Sequence, residues 1–358
     1  MNNTFGRNLA LTLYGESHGP EIGCILDGLE PGLPVDEAHV ARLLEKRRPS
    51  GLLGTARREP DPFEIVSGVL NGRTTGAPLC IRIPNRAARP EDYAAAADKP
   101  RPSHADYTAR VKYRGFADLR GGGHFSGRLT AAVAAAGAIL LDALALRGIR
   151  VGTHLARCGG IADRPFADDP AQDLSALEAA PFPVLDPERG EAMQAAVLAA
   201  RASGDSLGGV LETAVTGLPA GLGEPWFDTL EGLLAHALFS VPAVKGVEFG
   251  GGFALAELRG SAANDPFRME QGRVVTASNH SGGIQGGISN GMPLTVRAAY
   301  KPTPSIALPQ RTVDLASGTD TVLELCGRHD PCLALRACPV QDSLVALVLL
   351  DLLTGRRP

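Results

Sequence analysis

Three histidine-bearing turns are the segments of this chain best suited to moving protons. His18 lies in Gly-Glu-Ser-His-Gly, His104 lies in Arg-Pro-Ser-His-Ala-Asp, and His329 precedes Asp330. Histidine is the side chain that most readily exchanges a proton near neutral pH. A single histidine is more often structural than catalytic, but the first two lie in polar turns bounded by glycine or proline, with arginines close in sequence. These turns predict acid–base chemistry.

Basic residues close to these turns could hold an anion. Guanidinium groups bind phosphates and carboxylates with paired hydrogen bonds, whereas a run such as residues 46–48 could also be a solvated helix face. The candidates for convergence on one anion are Lys46, Arg47, Arg48, Arg57, Arg58, Arg101, Arg120 and Arg128.

Two glycine-rich stretches could bring the backbone close to a ligand. Residues 120–128, Arg-Gly-Gly-Gly-His-Phe-Ser-Gly-Arg, precede an alanine-rich stretch that predicts a helix over 129–146, so free N–H groups could face a phosphate, although a plain tight turn is an equal alternative. Residues 279–291 form the second stretch, and Lys-Pro-Thr-Pro-Ser follows at 301–305. Neither stretch has the spacing of a nucleotide-triphosphate loop or a dinucleotide fingerprint.

Composition excludes several classes of function. The 358 residues carry a formal net charge of −4, so no basic surface predicts binding to nucleic acid. The apolar stretches are interrupted by Asp142 and Asp351, which argues against a membrane span, and the N-terminus shows no secretory signal, so a cytoplasmic location is expected. Six scattered cysteines without a C-x-x-C pair predict reduced thiols and no metal site.

The elements that must position these residues predict an α+β fold. The 43 glycines and 27 prolines divide the chain into many short segments that do not alternate regularly between strand and helix. Helices are expected to start at Asp36, Asp186, Asp228 and near Ser343. Strands are expected at 8–14, 22–26, 63–69, 78–83, 210–215, 247–258 and 293–299.

An internal repeat is visible at a constant offset of 189 residues. The segment that begins at Gly15 aligns without gaps on the segment that begins at Gly204, and seven of 20 positions are identical. We therefore expect one large domain over 1–358, with related halves of about 1–190 and 191–358 around one core. His18 aligns with Leu207, so only the first copy keeps an ionisable side chain.

These residues by themselves indicate an enzyme for a small, multiply anionic substrate with a phosphate-bearing cofactor, and they leave the reaction open. The sequence also resembles the chorismate synthase family along nearly its whole length. The resemblance is carried by GESHG, DGLEPGLP, KRRPSG, REPDPFEIVSGVLNGRTTGAPL, RPSHADYT, YRGFADLRGGG, GDSLGG, GLPAGLGEP, AVKGVEFG, SNHSGGIQGGISNG, KPTPS and GRHDPCLALRACPV.

The resemblance implies a β-α-β sandwich of sheets and helices with an internal pseudo-twofold repeat, and a homotetramer. It implies an anti-1,4 elimination of phosphate and the C6 hydrogen from 5-enolpyruvylshikimate 3-phosphate, which requires reduced FMN without net redox change. NADPH would act only as an indirect reductant through an external flavin reductase. A flavin-dependent oxidoreductase remains the alternative.

The resemblance also implies roles for individual residues. His18 resembles the proton donor to the departing phosphate, His104 the partner of reduced flavin, and Asp330 a group near flavin N5. Arg47, Arg48 and Arg128 resemble the residues that bind the substrate anion or NADP. The flavin contacts are His124, Phe125, Ser126, Pro242, Ala243, Gly286, Lys301, Pro302, Thr303, Pro304, Ser305 and Arg328.

Three departures from the family pattern affect these contacts. His124 and Phe125 stand where many members have arginine and serine, and Pro242 stands where many have asparagine. Leu53 falls about where a second nucleotide-linked arginine would stand. We expect these changes to alter individual flavin and NADPH contacts and to leave the reaction unchanged.

Overall fold

The computed structural model describes residues 3–48, 53–54, 61–86, 98–325 and 330–355. Its first sheet contains β1 (Thr4–Phe5), β2 (Ala10–Gly15), β3 (Glu21–Asp27), β4 (Glu64–Ser67) and β7 (Leu79–Pro84), in the spatial order β1-β2-β3-β7-β4. Every neighbouring pair in this sheet is antiparallel. The buried residues of β3 and β7 face inward and form one wall of the core.

The second sheet has the same number of strands. It contains β8 (Arg150–Cys158), β9 (Ile161–Ala162), β10 (Gly209–Thr216), β11 (Val244–Phe249) and β16 (Leu294–Tyr300), in the order β11-β16-β10-β8-β9. Short hairpins pair β5 (Val69–Leu70) with β6 (Arg73–Thr74), β12 (Phe267–Glu270) with β13 (Arg273–Thr276), β14 (Ile284–Gln285) with β15 (Ile288–Ser289), and β17 (Gln310–Asp314) with β18 (Thr319–Leu323).

Helices pack between the two sheets, so the predicted α+β sandwich is confirmed. Helix α3 (Thr130–Ala145) packs on β3 and β7, helix α8 (Ala334–Gly355) packs on β8 and β10, and the two helices pack on each other. Buried residues of both sheets and of the helices form one hydrophobic core, whose first and last members in the sequence are Leu9 and Leu350. The helices are α1 (Glu37–Arg47), α2 (Asp106–Lys112), α3 (Thr130–Ala145), α4 (Ala171–Ala179), α5 (Pro187–Ala202), α6 (Leu230–Phe239), α7 (Gly260–Ala263) and α8 (Ala334–Gly355).

Two predicted helix starts are confirmed and two are displaced. Asp36 and Asp186 accept backbone N–H groups at the starts of α1 and α5. Thr229, rather than Asp228, caps α6. The start predicted near Ser343 was too late, because α8 begins at Ala334 and continues through Pro339. This proline lies in the second turn, where its missing donor removes a single intrahelical hydrogen bond.

Helices α3 and α8 run parallel and in direct contact. A Cβ atom built on Gly127 would lie 3.9 Å from Leu333, and one built on Gly137 would lie 1.8 Å from Ser343 Oγ. The two pairs have the same sequence separation, so the helices begin at the same end of the sandwich. Both segments, Gly127–Ala145 and Ala334–Gly355, are long and apolar enough for a membrane span by composition, and 78% of each apolar window is buried inside the protein.

The two sheets and their helices repeat one arrangement. Reading along the chain, β2, β3, α1, β4, β7 and α3 correspond to β8, β10, α6, β11, β16 and α8, with the same antiparallel neighbours. The aligned glycines also agree in conformation: φ is 96° at Gly28 and 77° at Gly217, and 90° at Gly32 and 93° at Gly221. The 189-residue offset thus aligns two equivalent central strands, β3 and β10.

The boundary between the halves differs from the sequence-based estimate. The second unit begins with β8, which pairs with β10 as β2 pairs with β3, so the boundary lies between Ala145 and Arg150 rather than near residue 190. The estimate was late because it used only the similarity that starts at Gly204. A single domain over 1–358 remains our proposal.

Candidate active site

A glycine-rich turn separates His18 from His104. A Cβ atom built on Gly121 would lie 2.1 Å from Cε1 of His18, and one built on Gly122 would lie 3.4 Å from Nε2 of His104. Both glycines have positive φ, 59° and 92°, which ordinary side chains rarely adopt. The turn therefore needs glycine for both space and conformation, and it places the two predicted proton-transfer residues on either side of one strip of backbone.

The loop that carries His18 is fixed by the same turn. The Ser17 N–H donates to the carbonyl of Gly123 at 3.0 Å, and both Ser17 and His18 are buried. The Asn85 amide donates to the carbonyls of Glu16 and Gly19, each at 2.9 Å. His18 is thus held from two directions by backbone contacts of its neighbours.

Three predicted arginines meet around a carboxylate that the sequence analysis did not select. Arg47 Nη1 lies 3.3 Å from Asp61 Oδ2, Arg128 donates to the other oxygen of Asp61, and Arg48 Nε lies 3.8 Å from Oδ2. Arg128 also donates to Asn85, which connects this cluster to the His18 loop. Arg47 and Arg128 are buried, whereas the Arg48 side chain is 30% exposed. Asp61 is the aspartate of the motif Arg-Glu-Pro-Asp, but nothing in the sequence indicates that it contacts residues 47 and 128.

Asp330 lies where α8 begins, next to this arginine cluster. Arg336 donates to Asp330 through Nη1 and to the carbonyl of Arg47 through Nε, the second at 3.1 Å. Because α3 and α8 are parallel, the free N–H groups and the positive dipole ends of both helices face this region. The site therefore favours an anion through helix dipoles as well as through arginines.

The Lys301–Ser305 segment joins the site from the second sheet. Lys301 Nζ donates to the carbonyl of Ser103 at 2.5 Å, and Arg101 Nη1 donates to Ser305 Oγ at 3.4 Å. The Lys301 N–H donates to the carbonyl of Ala243 at 2.9 Å, which also brings Pro242 and Ala243 to this side. Burial, assisted by Lys245, lowers the pKa of the Lys301 ammonium.

Ala243 has a backbone conformation that residues with a side chain rarely adopt. Val244 N–H donates to the carbonyl of Val241, so Pro242 and Ala243 are the central residues of a turn, and φ at Ala243 is 80°. This position usually requires glycine. Proline at the preceding position is favoured in such a turn, which explains how Pro242 is accommodated where many family members have asparagine.

Three buried polar atoms of the site lack partners among the described residues. They are Ser17 Oγ, Thr303 Oγ1 and Asp330 Oδ1. Buried hydroxyl and carboxylate oxygens are normally satisfied, so such atoms in one region point to a polar ligand. They belong to the first-sheet loop, the Lys301–Ser305 segment and the start of α8, which are the three parts that carry the predicted cofactor and substrate contacts.

Comparison with known proteins identifies the family. A family model described as chorismate synthase matches residues 9–354. The chain belongs to the chorismate synthase family. It is 47% identical over 353 residues to the chorismate synthase of Aeropyrum pernix, covering 99% of this chain and 93% of that protein. It is 47% identical over 352 residues to the chorismate synthase of Thermococcus kodakarensis, covering 98% of each.

A solved structure agrees with this result. The match is to a crystal structure of chorismate synthase, with a TM-score of 0.77, 29% sequence identity, and coverage of 98% of this chain and 92% of that one. The family is one of carbon–oxygen lyases in aromatic amino acid biosynthesis, and the chain is an enzyme of this class. The matches favour the lyase over the flavin oxidoreductase alternative.

Gly286 is a predicted flavin contact that the structure separates from the rest of the chorismate synthase site. It lies in the two-residue turn between β14 and β15, and the base of that hairpin packs on Leu294 through Gly283. Lys301 follows the other end of β16, which spans about 20 Å at the usual rise per residue. Within one chain, Gly286 and Lys301 therefore lie at opposite ends of the second sheet.

Four other predicted flavin contacts are His124, Phe125, Ser126 and Arg328. Both ring nitrogens of His124 contact protein oxygens, with Nδ1 2.7 Å from the carbonyl of Gly15 and Nε2 3.3 Å from Asn3 Oδ1, so this ring ties the glycine turn to β2. Phe125 is partly exposed and packs near Tyr113, with ring centroids 6.2 Å apart. Arg328 lies outside the described residues. Ser126 accepts the Arg128 N–H at 3.2 Å and so caps the turn.

Proposed function

We propose that this chain converts 5-enolpyruvylshikimate 3-phosphate to chorismate at the site between His18, His104, the arginine cluster and Asp330. The observation that carries the proposal is the glycine turn held between the two histidines, because it places two proton-exchanging groups beside one backbone surface. The two parallel helix N-termini and the Arg47–Arg48–Arg128 cluster add the anion-binding character that a phosphorylated dicarboxylate requires.

The residues present fit a reduced FMN cofactor. Lys301, Thr303 and Ser305 would hold it together with Pro242, Ala243 and Ser126, and the unpartnered hydroxyl of Thr303 would gain a partner. When bound, reduced flavin supplies transient electron density that helps phosphate to leave without net oxidation. Pro302 and Pro304 keep this segment extended, so its polar groups are ordered before the cofactor binds.

The protein residues divide the remaining work. His18, buried beside the arginine cluster, donates a proton to the departing phosphate. Arg48, the most exposed of the three arginines, contacts the substrate anion, while Arg47 and Arg128 are fixed through Asp61. His104 would exchange a proton with the bound cofactor, and Asp330 would act beside it. His18, Gly122 and Gly123 are buried and the His104 side chain is 18% exposed, so water has limited access to the two rings.

An anaerobic assay tests the proposal. Purified protein is mixed with 5-enolpyruvylshikimate 3-phosphate and photoreduced FMN, and chorismate is followed together with flavin oxidation. We expect many chorismate molecules per flavin. Flavin oxidation in proportion to product would instead support an oxidoreductase.

We further propose that NADPH serves only through an external flavin reductase, that the chain forms homotetramers, and that it acts in the cytoplasm. The described residues lie in sheets and helices without an added reductase domain, and Leu53 stands where the family pattern suggests a nucleotide-linked arginine. In the dark, the pure protein with FMN and NADPH should be inactive until a reductase is added. Sedimentation velocity measures the assembly state.

A further inference from the structure

Asp106 is the hub of a polar cluster around His104. Its carboxylate accepts the backbone N–H of Arg101 at 3.0 Å, and Nε and Nη2 of the same arginine, each at 2.8 Å. Nδ1 of His104 lies 2.6 Å from Oδ1 of Asp106. Asp106 is the first residue of α2, and a positive φ of 59° at Ser103 turns the chain so that His104 folds back toward it.

The charge state of Asp106 determines how His104 carries its hydrogen. Burial alone raises the pKa of Asp106, but hydrogen bonds from Arg101 and His104 outweigh burial and hold that pKa well below its usual range. An ionised carboxylate only accepts hydrogen bonds, so at 2.6 Å the hydrogen must lie on Nδ1 of His104. Arg101 Nη2 is farther from Nδ1, at 3.1 Å, and donates to Asp106 instead.

We propose that Asp106 and Arg101 are positioning residues for the reaction. Asp106 keeps the hydrogen of neutral His104 on Nδ1, so that Nε2, the nitrogen nearer Gly122, exchanges a proton with the bound flavin. Arg101 connects that histidine to Ser305. The inference rests on the proposed role of His104 and adds the residues that make one ring nitrogen reactive.

The same cluster couples the histidine to the segment proposed to hold the cofactor. Arg101 uses one edge of its guanidinium for Asp106 and donates from Nη1 to Ser305. Lys301 donates to the carbonyl of Ser103, one residue before His104. The 101–106 loop and the 301–305 segment are therefore connected at both ends. The charged groups around His104 are Asp106, Arg101 and, beyond the Ser103 carbonyl, Lys301.

Nitrogen NMR of the flavin-free protein tests the tautomer directly. The protein is labelled with ¹⁵N-histidine, the His104 signals are assigned by their loss in His104→Gln, and ring couplings report which nitrogen carries hydrogen at a pH where the ring is neutral. We expect Nδ1–H in the wild type and a switch to Nε2–H, or a mixture, in Asp106→Asn. Turnover of Asp106→Asn should fall about 10²-fold, with FMN affinity changed less than threefold.

Two further variants separate the roles. Arg101→Gln should keep Nδ1–H on His104 but weaken FMN binding several-fold, because the connection to Ser305 is lost. Asp106→Glu should recover part of the turnover. The matched control is Asp98→Asn, which removes a carboxylate paired with Arg110 at 2.7 Å on the same part of the chain, where both side chains are exposed. It should leave tautomer and turnover unchanged.

The inference fails if Asp106→Asn retains Nδ1–H, or if the tautomer switches while turnover stays at the wild-type value. If Asp106→Asn does not fold, the wild-type tautomer and the Arg101→Gln binding result still decide: Nε2–H in the wild type, or unchanged FMN affinity in Arg101→Gln, overturns it. A wild-type protein that makes no chorismate would contradict the proposed function, and the tautomer measurement would remain valid.

Discussion

The two halves of the molecule place the same loop in the same position and use it differently. In the first half, the Ser17 N–H donates to the Gly123 carbonyl just before α3, and His18 faces Gly121. In the second half, the Leu207 N–H donates to the Pro331 carbonyl just before α8, and Leu207 packs near Gly159. The donor is shifted by one residue, because Ser17 aligns with Ser206 rather than with Leu207, yet each loop bonds to the segment before a core helix. The loop carries a proposed acid in one copy and an apolar side chain in the other.

The long helices of the two halves also occupy equivalent positions and carry different side chains. In α3, the stretch from Ala131 to Ala138 is buried and consists of small apolar residues. Helix α8 instead carries a buried polar network, in which Gln341 donates to Thr213 at 2.8 Å and Thr153 donates to Asp342 at 2.5 Å. Small residues in α3 allow close approach, and α8 fixes the second sheet by hydrogen bonds. The repeat thus constrains the backbone, and the side chains specialise each half.

The largest expected effect tests the two equivalent loop positions. His18→Ala should lower turnover about 10²–10⁴-fold, because a general acid to phosphate is lost, while FMN affinity and melting temperature stay near wild type. Leu207→Ala, its matched control, should cost about 1 kcal/mol of stability because the leucine is only partly buried, with little change in turnover. Turnover, flavin titration and thermal unfolding are measured on both. Wild-type turnover in His18→Ala would contradict its role.

The second prediction compares the buried carboxylate of the first half with that of the second. Asp61→Asn should lower the free energy of unfolding by about 3–5 kcal/mol, because the buried guanidinium groups of Arg47 and Arg128 would lose the negative charge of Asp61. Asp330→Asn should cost less, because its partner Arg336 is 21% exposed. Urea unfolding at neutral pH measures both. If both variants lost the same free energy of unfolding, burial of the partner arginines would not determine the cost of removing the carboxylate.

The third prediction concerns the polar network of α8. Burial raises the pKa of Asp342 to about 7, although Thr153 donates to it. The unfolded carboxyl ionises near pH 4, so the wild type should lose stability as the pH rises from about 4 to about 7 and then level off. Asp342→Asn should flatten this slope and gain up to about 4 kcal/mol over wild type at pH 7. Denaturation from pH 4 to pH 8 measures it; parallel curves would place Asp342 in the ionised form.

The smallest effect tests the contact between the two halves. Gly137→Ala should cost about 1–3 kcal/mol, because its Cβ would lie 1.8 Å from Ser343 Oγ and 2.9 Å from Ser343 Cα. Gly127→Ala is the control, since its nearest neighbour would be 3.9 Å away. Removing the serine side chain by Ser343→Gly should recover part of the stability lost in Gly137→Ala, because the contact with Cα of residue 343 remains. A double mutant with simply additive losses would show that the helices separate instead.

Local chemistry made several elements predictable. Asp36 and Asp186 marked helix starts correctly because capping depends on one side chain and the next few N–H groups. The alanine-rich stretch predicted α3, because helix propensity also depends on the residues of the segment itself. The strand predicted over 247–258 was wrong beyond Phe249, where the chain forms a short helix at Gly252–Glu257, because tertiary packing overrides strand propensity.

The sequence by itself determined the family, the α+β class, the repeated strand and the candidate histidines, since each depends on residue identity and spacing. Only the tertiary structure decided that Asp61 joins Arg47 to Arg128, and that Gly286 lies away from Lys301. Such pairings depend on how two sheets and two parallel helices close around a core. Packing throughout the chain determines how the sheets and helices close, and the local spacing of residues does not predict it.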